Sequence, residues 1–125
     1  MDSAKIEGYL INLGLTFRDL GDQAWMIEDP ESGLSNVVVF AQDSLVTIRT
    51  KIMDVPNERR EEFFKTLLAL NSEMIHGAYA LDDDNVILID TLELETMDLE
   101  EFQASLDATG LALAQHYAVL SKYRT

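Results

Sequence analysis

Apolar residues recur along this chain in two rhythms, one near every third or fourth position and one at every second, and their alternation lays out the elements. Ile6, Leu10 and Leu13 share one helical face, which predicts a first helix from about Ser3 to Leu13 with Ser3 as its N-cap. Gly14 stands where a helix needs a left-handed residue to stop, and Leu15 is placed to fold back on Leu10 in a Schellman ending. A block of strands follows: Leu15 to Leu20, a turn at Gly21-Asp22, and Gln23 to Glu28 around Trp25. Asp29-Pro30-Glu31-Ser32-Gly33 has tight-turn chemistry, since Pro fixes one dihedral and Gly frees another.

Asn36 to Gln42 (NVVVFAQ) is apolar at consecutive positions and is expected to be covered on both faces. Ser44 to Asp54 alternates, with Val46, Ile48 and Ile52 pointing one way and Thr47, Arg49 and Lys51 the other, as in a sheet with one wetter face. A second helix is predicted from about Asn57 to Met74. Its apolar residues Phe63, Phe64, Leu67, Leu68, Leu70 and Met74 spread over roughly 160° of the helix, wider than a core-facing stripe requires. A second hairpin pairs strands near His76 to Leu81 and Val86 to Leu94 through Asp82-Asp83-Asp84-Asn85.

The last helix has the best-marked start. Asp98 as N-cap and Glu101 at N3 form a capping-box pair, and Met97 can staple onto Phe102. Leu99, Phe102, Leu106, Thr109, Leu113, Tyr117 and Leu120 then recur at helical spacing, with Gly110 as a possible interruption. The order reads α-β-β-β(β)-α-β-β-α: an α+β domain whose antiparallel sheet is flanked by helices.

Composition narrows what such a domain does. The 125 residues have room for one domain, residues 1–125, and neither a repeat nor a linker-like tract divides them. The chain lacks cysteine, which removes disulfides and thiolate metal sites. Nine Lys/Arg against 23 Asp/Glu leave a net charge of −14, which repels nucleic acid and anionic membranes. With neither a secretory leader pattern nor an apolar run of bilayer length, the expected location is the cytoplasm.

Candidate chemistry is sparse. Read as a calcium loop from Asp82, the acidic turn supplies acids at positions 1 and 3 and Glu93 at position 12. It puts Val86 and Ile87 where an oxygen ligand and a glycine are required, so a solvated turn is the better account. His76 and His116 lie 40 positions apart and form no ligand pair; His116, beside Tyr117, is expected at the surface or half-buried. Glu61-Glu62 and Glu100-Glu101 sit in first turns of helices, where negative charge favours the helix dipole. No nucleophile elbow or phosphate loop accompanies them, so no enzyme, metal or cofactor is expected.

One resemblance covers most of the chain. Leu67-Leu68-Ala69-Leu70-Asn71, His76 to Asp82, the strand Val86 to Ile89, Leu92-Glu93-Leu94 and Met97-Asp98-Leu99-Glu100-Glu101-Phe102 together resemble the YbjN-domain branch of the type III secretion chaperone-like (CesT/Tir chaperone-like) fold. The resemblance implies a homodimer built largely through the middle helix, which here would use Phe63, Phe64, Leu67, Leu68 and Met74. It also implies binding of other polypeptides, for which Trp25, Ile27, Val38 and Phe40 are the candidates. The expectation is a dimeric, non-enzymatic, chaperone-like protein-binding module with an unidentified protein partner. A regulator or scaffold of the same fold is the alternative, and an enzyme with an unrecognised site comes last.

Overall fold

The computed structural model describes residues 2–124, with side chains from Ala4 onward. In chain order the elements are α1 (Asp2–Asn12), β1 (Phe17–Gly21), β2 (Ala24–Asp29), a single 3₁₀ turn (Pro30–Ser32), β3 (Leu34–Gln42), β4 (Leu45–Asp54), α2 (Arg60–Glu73), β5 (Ala78–Asp82), β6 (Asn85–Glu93) and α3 (Leu99–Ser121). The six strands form one antiparallel sheet in the order β1-β2-β3-β4-β6-β5. This is the α+β order expected from the sequence, with all four strands of the first block present.

Local signals set several boundaries. α1 ends in a full Schellman motif: Gly14 takes φ +70°, Leu15 N–H donates to Leu10 O at 3.1 Å and Gly14 N–H to Ile11 O at 3.0 Å. Ser3 does not cap α1, because the helix already includes Asp2 and Ser3 lies inside its first turn. The capping box at α3 is complete, with Glu101 N–H donating to Asp98 Oδ1 at 2.7 Å and Asp98 N–H to Glu101 Oε1 at 3.1 Å.

Other boundaries moved. α2 begins at Arg60, three residues after the expected start, because Arg59 adopts a left-handed conformation at the N-cap. The Arg59 side chain reaches instead to the carbonyl of Lys122, at 2.7 Å, and lies over the Tyr123 ring. The first hairpin turns at Asp22-Gln23, both at positive φ, rather than at Gly21-Asp22; Asp43-Ser44 joins β3 to β4 in the same way. α3 runs unbroken through Gly110. A Cβ there would stand 2.7 Å from the Ser32 carbonyl oxygen, so glycine is what lets the helix lie against the Pro30–Ser32 turn.

Strand register shows how the layers stack. Trp25, Val39, Ile48 and Asp90 form one cross-strand row, and Thr50, Leu88 and Tyr79 another on the same side. α1 covers this side through Ile6 and Leu10, packed with Trp25, Ile27, Val37, Val39, Val46 and Ile48. α2 covers it at the other end through Phe63, Leu67 and Leu70, packed with Met53, Tyr79, Val86 and Leu88. α3 crosses both regions, giving Phe102 and Leu106 to the first cluster and Ala112 and Leu120 to the second. All three helices therefore lie on one face of the sheet.

That result corrects two expectations. β3 is covered on one side only: Val37, Val39 and Ala41 are buried, while Val38 and Phe40 on the other side are half-buried without a helix above them. Ile52 does not continue the inward series of Val46 and Ile48. A bulge between Lys51 and Met53 changes the phase, so Thr50 and Met53 point inward and Ile52 is half-buried.

Candidate functional site

The uncovered face of the sheet is built from the positions that alternate with the core. Its central cross-strand row runs Met26, Val38, Arg49, Ile89, Ala78 from β2 to β5. Phe40 and Thr47 lie in the adjoining row on one side, and Lys51, Ile87 and Ala80 in the row on the other. Met26, Val38, Phe40 and Ile89 are half-buried by their strand neighbours alone, and Leu45 at the rim is exposed. Ile87 is buried although no helix lies above it. Arg49 on β4 pairs with Asp82 on β5 at 2.9 Å, and because β6 lies between these strands the ion pair passes over Ile87.

Charge on this face departs from the rest of the molecule. Arg18, Arg49 and Lys51 meet Asp54, Asp82 and Glu93, with Glu28 at a bulge on the margin, in a chain whose net charge is −14. Glu28 is itself engaged, accepting from Asn36 N–H at 2.6 Å. The open face is thus a near-neutral apolar window in an acidic molecule, the kind of contiguous patch that marks an interaction surface.

The outer side of α2 is the second candidate surface. Leu68 is 69% exposed, and Phe64 and Met74 are half-buried beside it. Beyond the helix Ile75 is 92% exposed and, with Met74, His76 and Leu111, lines a groove of about 390 Å³ between the end of α2 and α3. Both histidines reach this groove. His116 is buried rather than at the surface, and its Nδ1 lies 2.7 Å from the Tyr79 hydroxyl. Burial pushes that hydroxyl up to about 12 from 10.0.

Four of the expected contact residues are corrected by their burial. Phe63 and Ile27 are fully buried, Trp25 is 1% exposed and Leu67 6%, so their side chains are used inside the protomer. Phe64, Leu68 and Met74 remain accessible on the helix, and Val38 and Phe40 on the sheet. Met26 and Ile89 complete the sheet patch; the sequence alternation around each carries the signal, which only the register resolves. The acidic turn Asp82–Asn85 is a hairpin corner, with Asp83 at positive φ and Asp82 spent on Arg49. Among the described residues no three His, Asp or Glu side chains gather as a metal site, and no helix is long and apolar enough to cross a membrane.

The CesT_Tir_1 family model matches residues 2–125. No curated protein matches the chain in sequence. Among solved structures, YbjN from E. coli is similar over 93% of this chain and 91% of its own, at 15% identity and a TM-score of 0.69. The heterodimeric ExoU–SpcU complex of the Pseudomonas aeruginosa type III secretion system contains a chain similar over 95% and 97%, at 17% identity and a TM-score of 0.71. The Yersinia pestis type III secretion chaperone SycH, in complex with a stable fragment of YscM2, is matched over 91% and 98%, at 13% identity and a TM-score of 0.65. These likenesses establish a shared fold.

Proposed function

Because the chain belongs to the CesT_Tir_1 family, we propose that it is a chaperone-like module that binds other polypeptides, acts as a homodimer in the cytoplasm and performs no catalysis. The observation that carries this reading is the open face of the sheet, where Met26, Val38, Phe40 and Ile89 form an apolar window without a helix to cover it. Neutral charge there supports contact with a polypeptide rather than a polyanion. SycH and the HopA1–SchA chaperone–effector complex, both similar in fold, hold protein partners, which supports the same reading.

The dimer half of the proposal uses the outer side of α2, now reduced to Phe64, Leu68 and Met74. Leu68→Glu tests it, because that side chain is too exposed for the change to unfold the protomer. Sedimentation equilibrium is expected to give a dimer for the wild type and a folded monomer for the variant. A monomeric wild type sinks this half.

For the partner half, Val38→Thr with Phe40→Thr puts β-branched, strand-favouring residues at both positions while making the centre of the apolar window polar. Affinity capture from native cells is expected to lose a bound polypeptide that the wild type retains. A single folded regulator among the captured proteins would favour the regulatory alternative; equal capture by both forms rejects the sheet face.

A further inference from the structure

From Thr66 to Ser121 the chain has eleven Asp and Glu and neither a Lys nor an Arg. That stretch supplies both walls of the groove between the end of α2 and α3. On one wall Met74, Ile75 and His76 lead out of α2. On the other, Ala108 and Ala112 lie one turn apart on α3 and are small enough to leave a trough of about 390 Å³ beside the exposed Leu111. The first wall is held in place by Asn71. Its Oδ1 accepts from Tyr79 N–H at 2.7 Å and its Nδ2 donates to Tyr79 O at 3.2 Å, which closes the intervening loop at its base. Ile75, almost fully exposed, is therefore presented on a closed loop.

The polar groups at this groove lack partners. Glu73 lines it, and Asp107 stands one turn before Leu111 on α3; neither meets a cation among the described residues, whose ion pairs all lie elsewhere. His116 is buried at the groove with only Nδ1 engaged, by the Tyr79 hydroxyl, which leaves its other ring nitrogen free. The start of α2 is different. There Arg59, Arg60 and Lys65 are interspersed with Glu58, Glu61 and Glu62, so the surface around Phe64 and Leu68 can meet a copy of itself. The groove has acids alone, and a second copy at −14 is a poor electrostatic match for it.

We propose that this groove docks a basic amphipathic helix of a partner protein, its apolar side chains packed between Ile75 and Leu111 and its Lys or Arg side chains reaching Glu73 and Asp107. A helix lays its apolar stripe into a trough of this kind. Unpaired acids at the rim select the sign of the charge beside that stripe. The groove is on the helical side of the molecule, so the proposal does not rest on the reading of the open sheet face.

The probe is a synthetic amphipathic helix of leucine and lysine, with the same peptide carrying glutamate for lysine as its counterpart, followed by amide chemical shifts of the intact chain. The lysine peptide is expected to give saturable shifts at Ile75, Ala108, Leu111 and Gln115, and the glutamate peptide none. Glu73→Gln with Asp107→Asn is expected to weaken binding about fivefold. Asp22→Asn with Asp43→Asn makes the same charge change at turns near the other edge of the sheet and is expected to weaken it by less than about twofold. Ala108→Phe fills the trough from a half-buried position and is expected to abolish the shifts in a chain that keeps native amide dispersion. Should that variant misfold, the two charge variants decide alone. Shifts absent, equal for the two peptides, weakened equally by both charge variants, or centred on Val38 and Phe40 would overturn the proposal. So would groove signals that move with the chain's own concentration and are silenced by Ala108→Phe, since the occupant would then be a second copy.

Discussion

The two faces of the sheet are drawn from the same strands and from similar residues, yet only one is closed. On one, Trp25, Ile27, Val37, Val39, Val46 and Ile48 are essentially inaccessible beneath α1 and α3. On the other, Met26, Val38 and Phe40 alternate with them, equally apolar by type, and are covered by nothing but their strand neighbours. Where the closed face has three helices, the open face has only ion pairs, Arg49–Asp82 across the strands and Lys51–Asp54 along β4. An antiparallel sheet tolerates such asymmetry only if its outer side is polar or has something to bind. Here the outer side is apolar at its centre, and that difference is the ground for a binding role.

Removing closed-face packing is expected to have the largest effect. Phe63→Ala deletes a fully buried ring that packs edge-on to Tyr123, and is expected to cost about 3–5 kcal/mol in a denaturant titration. Gly110→Ala comes next. A methyl 2.7 Å from a backbone oxygen forces α3 off the Pro30–Ser32 turn, with an expected loss of about 1–3 kcal/mol by the same measurement.

A pH dependence separates the faces in another way. Burial holds the Tyr79 hydroxyl protonated up to about pH 12, whereas an unfolded tyrosine ionises near 10.0. The proton is bound more tightly in the fold, so this contribution is complete below pH 10 and is lost progressively between pH 10 and 12. Tyr79→Phe is expected to lack that decline when melting temperatures of the two forms are compared across the range. A parallel decline in both forms would show that Tyr79 is not its source.

Open-face substitutions are expected to be the mildest. Phe40→Thr should cost about 1 kcal/mol, and Arg49→Ala well under 1 kcal/mol because the pair is partly solvated, with side chains 33% and 54% exposed. If either cost as much as Phe63→Ala, the open face would be part of the fold's support and the comparison would fail.

Much of this architecture is legible from local sequence. Gly14 with Leu15, and Asp98 with Glu101, each specify a helix boundary within five residues, and the structure places both as read. The sidedness of the sheet is not local. Val37 to Ala41 is apolar throughout, so its sequence states that both sides avoid water without saying which one a helix covers. The phase of β4 is carried past Lys51 by alternation until a bulge, which leaves no mark in residue type, reverses it. On α2, Phe63 and Leu68 are equivalent as apolar letters, but one is fully buried and the other 69% exposed. The wide stripe spans a buried and an exposed side of the helix, and burial alone divides it between them. The Tyr79–His116 pair joins residues 37 positions apart and is visible only when β5 and α3 meet.

The most direct test of the central claim is photocrosslinking in native cells, with a photoreactive phenylalanine analogue placed at position 40 on the open face and, separately, at position 103 on the exposed side of α3. The account predicts discrete polypeptide adducts from position 40 and none from position 103. Equal labelling from both, or none from position 40, would contradict it.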